Sequence, residues 1–92
     1  MSNDFGLLSP TYKNMSASGL VKTGTGRIRG VFCNTTSSGS LAFADATSGT
    51  TPVIVTGLSL TAGTWYYFGD LTFETGLYIT LTNTANWTVV YF

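Results

Sequence analysis

Between Leu77 and Thr82 every second residue is apolar: Leu77, Ile79 and Leu81 alternate with Tyr78, Thr80 and Thr82. Successive strand side chains point to opposite faces, so a period of two buries one face and wets the other. No window of the chain offers a competing 3.6-residue apolar period. Thr, Val, Tyr, Phe, Trp and Ile are abundant, and they suit a pleated, half-buried surface. Eleven glycines, with clusters of Thr, Ser and Asn, punctuate the chain. The breaks recur at intervals of about 8–12 residues, the spacing of sandwiches and barrels. The pattern predicts an all-β fold, an antiparallel β-sandwich of about seven to eight strands, jelly-roll or immunoglobulin-like in order.

The expected strands are Ser18–Lys22, Arg27–Asn34, Ser40–Asp45, Val53–Leu60, Thr64–Phe68, Leu77–Thr82 and Trp87–Phe92. Gly57 marks a bulge in the fourth. Gly69-Asp70 ends the aromatic fifth strand, and the extended stretch Leu71–Glu74 adds an eighth strand if it pairs independently. Thr35–Gly39 reads as a turn. In Arg27–Asn34 the two arginines share a side with Val31 and Cys33, opposite Ile28, Gly30 and Phe32. Turning the arginines to water places Ile28 and Phe32 in the core. Leu41 and Phe43 are expected to point inward, and Trp87, Tyr91 and Phe92 to pack in the core.

Residues 1–16 differ from the rest. They hold Phe5, Leu7, Leu8, Tyr12 and Met15 without alternation. This is too apolar for a solvated tail. The expected organisation is an extended N-terminal arm over 1–16, docked on a partner, and a sandwich domain over 17–92.

Catalytic chemistry has little to work with. The chain has no histidine, which removes the commonest general base and metal ligand. The single Cys33 makes neither an intrachain disulfide nor a zinc cluster. Asp70 and Glu74 lie at strand ends, where carboxylates cap turns. No enzyme activity, metal or cofactor is expected. Four Lys and Arg against four Asp and Glu leave no surplus for phosphates, so no nucleic-acid partner is expected. The N-terminus lacks the basic and apolar regions of a signal peptide, and no apolar run reaches transmembrane length. No membrane partner and synthesis in a cytoplasm are therefore expected.

Only 9% of residues are charged. An ordinary soluble domain carries about 25%. A net charge of zero does not resist association, so much of the surface is expected to be covered in use. Trp65-Tyr66-Tyr67-Phe68 adds to this expectation. Alternation sends two of the four rings outward, as interface anchors or as stacking surfaces for sugars. The candidate interface residues are Phe5, Leu7, Leu8, Tyr12, Trp65, Tyr66, Tyr67 and Phe68.

The texture of Gly26–Phe92 carries a resemblance. It comprises Gly30-Val31-Phe32, a Ser/Gly turn, Leu41-Ala42-Phe43-Ala44-Asp45, Phe73-Glu74-Thr75-Gly76-Leu77-Tyr78-Ile79 and Thr88-Val89-Val90-Tyr91. This stretch resembles the small β-sandwich virion proteins of tailed bacteriophages, especially marine ones. The resemblance implies a capsid decoration (cement) protein on the surface of the phage head. Such a protein would bind the major capsid protein or another virion protein, as a homo-oligomer or in many copies. The alternative it implies is a tail or fibre accessory that binds carbohydrate on the host surface.

Overall fold

A computed structural model describes residues 10–35 and 39–92. It contains eight strands: β1 (Thr11–Met15), β2 (Gly19–Thr23), β3 (Gly26–Thr35), β4 (Ser40–Ala44), β5 (Val53–Ser59), β6 (Trp65–Phe73), β7 (Gly76–Thr82) and β8 (Asn86–Tyr91). They form a front sheet ordered β1-β8-β3-β6 and a back sheet ordered β2-β7-β4-β5. Every pairing is antiparallel.

The pairings obey one rule. β4 pairs with β5, β3 with β6, β2 with β7 and β1 with β8. The chain is thus one long hairpin centred on the β4–β5 connection. The hairpin rolls up through the pairs β3–β8 and β4–β7. This is jelly-roll order and not immunoglobulin order.

Between the sheets lies the core: Ile28, Val31, Cys33, Leu41, Phe43, Phe73, Leu77, Ile79, Trp87 and Val89 are all fully buried. Leu41, Phe43, Leu77, Ile79 and Trp87 face inward as the alternation predicts, while Leu81, Tyr91 and Phe92 are half-buried. Phe68 lies edge-on to Phe43, with ring centroids 5.0 Å apart.

Three expectations need revision. The first concerns the arm. Its residues 1–9, with Phe5, Leu7 and Leu8, lie outside the described residues, as does 36–38 of the expected turn. Thr11–Met15, however, is a sheet strand paired along its length with β8, and Met15 enters the core at 7% exposure. The second concerns β3. Between Ile28 and Gly30 the ladder to β8 shifts by one residue, so Arg29 is extra. One inserted residue reverses the phase of alternation. Val31 and Cys33 therefore point into the core, and Phe32 points out. The third concerns Gly69-Asp70. The pair does not end a strand but forms a bulge inside the continuous β6. Gly69 and Asp70 both adopt positive φ there, 70° and 60°. The eighth strand is thus β1, and Leu71–Phe73 belongs to β6.

Candidate binding face

The register places the outward residues of the front sheet in rows. With Val31, Cys33, Trp87 and Val89 buried, their neighbours Phe32, Thr88 and Val90 face out. Phe32 stands opposite both Thr88 and Trp65, and Asn14 stands opposite Thr88. One row therefore reads Asn14, Thr88, Phe32, Trp65 across all four strands. The next reads Tyr12, Val90, Gly30, Tyr67.

These rows make an aromatic band. Tyr12 is 70% exposed, Tyr67 63% and Trp65 41%. Phe32 supports Trp65 from the neighbouring strand, with centroids 6.3 Å apart. Gly30 is required in the middle of the band because the backbone of β6 closes over it. A Cβ there would run into the carbonyl oxygen of Tyr66. Of the four consecutive rings, Trp65 and Tyr67 face solvent, while Tyr66 and Phe68 pack against the core. The Tyr66 hydroxyl also accepts a hydrogen bond from the Thr61 amide at 2.8 Å.

One end of the band is polar and uncharged. Asn14 Nδ2 donates to Asn86 Oδ1 at 2.9 Å, and Asn34 Nδ2 donates to the same oxygen at 2.8 Å. Asn34 Nδ2 also donates to Thr88 Oγ1 at 3.1 Å. Three strands thus contribute to a cross-linked row of carboxamides. Its members are spread over 72 residues of sequence, and only the tertiary pairing reveals it.

The other end is an ion pair. Arg29 Nε donates to Asp70 Oδ1 at 3.0 Å and Nη2 donates to Oδ2 at 3.1 Å. The bidentate bond from Arg29 holds Asp70 below the usual carboxylate range, and the charges of Arg29 and Arg27 add to it against the opposing desolvation. Both side chains are partly solvated, so the pair orients more than it stabilises.

Charge elsewhere is gathered at this same end. Arg27 and Arg29 lie over the Phe92 ring at 4.5 and 4.8 Å. Lys22 Nζ donates to Phe92 O at 3.0 Å, and Lys22, Thr25, Arg27 and Phe92 line one open cleft. Thr25 in turn bonds the Glu74 carbonyl. Asp45 accepts the amides of Glu74 (3.0 Å), Thr75 (2.7 Å) and Gly76 (3.3 Å). These bonds, led by that from Glu74, pull the Asp45 pKa down against desolvation. Of the eight charged residues, Asp4 lies outside the described residues and Lys13 sits on β1; Lys22, Arg27, Arg29 and Asp70 are linked through the contacts above, and Asp45 and Glu74 meet at the neighbouring β6–β7 turn.

All four free strand edges carry a device against strand addition. β1 has Lys13; β2 has Lys22 and a register shift at Val21; β5 follows Pro52 and bulges at Gly57; β6 bulges at Gly69 and Asp70. Strand-to-strand addition at these edges is thereby disfavoured. Among the described residues no three His, Cys, Asp or Glu side chains come together to hold a metal. Compared with protein-family models, curated proteins and solved structures, the chain finds no match.

Proposed function

We propose that this chain is a structural, non-catalytic component of a virus particle, a decoration protein that binds the assembled phage head in many copies. The observation that carries the reading is the distribution of charge. Six charged residues lie toward one end of the sandwich, on β2, β3, β6 and the turns beside them, and Lys13 on β1 is the other charge among the described residues. A protein that works alone in solution benefits from spread charge. A protein seated among symmetric neighbours does not need it, and a neutral flank avoids repulsion between identical copies. The guarded edges fit the same life, because closely packed copies would otherwise add strand to strand.

In this reading the segment before β1, with Phe5, Leu7 and Leu8, supplies apolar contacts to the shell protein. Occupancy of many sites stabilises the folded chain by mass action. The test is association of purified protein with undecorated heads, followed by sedimentation. Full-length protein should co-sediment, and a chain lacking residues 1–9 should stay in the supernatant. Full-length protein that never sediments with heads would sink the proposal.

A further inference from the structure

We infer that the outer face of the front sheet binds a neutral oligosaccharide, the sugar rings lying across the strands on Trp65, Tyr67 and Tyr12. The inference goes beyond attachment to a head, and three observations lead to it.

The first is size. The two rows run across all four strands but take up only about five residues of 3.3 Å along them. A narrow chain ligand matches such a band. From Tyr12 to Tyr67 the band spans three strand spacings, about 14 Å. β1 and β6 are edge strands, so the band is open at both ends to a chain that continues past it.

The second is chemistry. Three exposed rings offer apolar faces to the C–H surfaces of sugars, and Tyr and Trp lose little conformational freedom on binding. Beside them, Asn14, Asn34, Asn86 and Thr88 hold one another through five bonds of 2.8–3.3 Å. Their amide and hydroxyl groups are therefore positioned before any ligand arrives. Aromatic faces next to fixed carboxamides match a molecule that is apolar on one side and rich in hydroxyls at its rim.

The third is charge. Neither row contains Lys, Arg, Asp or Glu, and the adjoining Arg29–Asp70 pair neutralises itself. A nucleic-acid strand also stacks on aromatic rings, but it needs cations along its backbone. An acidic polysaccharide would need them too. A neutral saccharide does not. One such face binds weakly, and many copies on a shell multiply the effect by avidity.

Native gel electrophoresis through gels containing dextran, xylan or galactomannan, with alginate as the acidic control, tests the inference. At least one neutral polymer should retard the protein, and alginate should not. Trp65→Ala with Tyr67→Ala should lower the apparent affinity about tenfold or more. Its circular dichroism and melting should be unchanged, since both rings lie outside the core. Failure of every neutral polymer to retard the protein, equal retardation of the double variant, or a preference for alginate would overturn it. Head association separates this inference from the decoration reading. A protein retarded by a neutral polymer but absent from heads leaves the saccharide face standing and ends the decoration role. A protein on heads that ignores all three neutral polymers does the reverse.

Discussion

Arg29 grips Asp70 with two hydrogen bonds, of 3.0 and 3.1 Å, across a bulge in which one residue of β3 faces Phe68, Gly69 and Asp70 of β6. The pair reconciles two strands that have slipped out of phase. Hydrogen bonding lowers the Asp70 pKa in the folded state, so its stabilisation is complete above the ordinary carboxylate value of 3.8 and is lost as pH falls through the lower folded value. Asp70→Asn keeps a residue that tolerates φ near 60° and removes the charge. Urea unfolding of this variant should show a smaller drop in midpoint between pH 7 and pH 3 than the parent. An unchanged drop would mean that the pair contributes nothing to acid sensitivity.

Asp45 should supply the other part of that acid sensitivity. Its pKa is also lowered, by the amides of Glu74, Thr75 and Gly76, so the sign is the same: stability present above about 4 disappears below it. Asp45→Ala leaves those amides to water and should cost about 1–2 kcal/mol at pH 7. The lower end is expected because the carboxylate is partly solvated. The penalty should shrink at pH 3, measured by the same urea titration.

Gly30 should be far less replaceable than Gly24. A Cβ at Gly30 meets the Tyr66 carbonyl and the Tyr67 Cα, both backbone, so β6 itself must move. Gly30→Ala should cost about 3 kcal/mol or more, or prevent folding. At Gly24 there is open space and φ is +90°, so Gly24→Ala should cost only about 1–2 kcal/mol. Thermal melts of the two variants decide the order.

Truncations should locate the true start of the sandwich. Removing residues 1–9 spares every described strand and should leave the melting temperature unchanged. Removing 1–16 deletes β1, takes Met15 from the core and bares the β8 edge beside Trp87. The cost should be at least about 2–5 kcal/mol, the usual penalty for losing a buried Met side chain. Limited proteolysis of the two truncated chains reads the difference.

Much of the fold is legible in the one-dimensional pattern. Leu77 and Ile79, and Leu41 and Phe43, face the core because their alternation is unbroken. Phe32 misleads because hydropathy at Arg29 carries no sign that the residue is extra to the ladder. β1 escapes notice because four of its five residues are exposed and only Met15 is buried. The aromatic strand shows that two rings must face out, yet not which two, since either phase places two rings inside. The carboxamide row is invisible for another reason: Asn14, Asn34 and Asn86 become neighbours only through the β1–β8 and β3–β8 pairings.

The alternation, the turn residues and the scarcity of charge dictate an antiparallel sandwich with a weakly charged surface. They act through local backbone preference and the demand that apolar side chains leave water, and both are written along the chain. Tertiary structure alone decides the jelly-roll order, the phase of each strand beyond a bulge, and the joining of Tyr12, Phe32, Trp65 and Tyr67 into one face. Those features depend on where strands distant in sequence come into register. A single extra residue such as Arg29 changes that register without changing the pattern of polar and apolar residues.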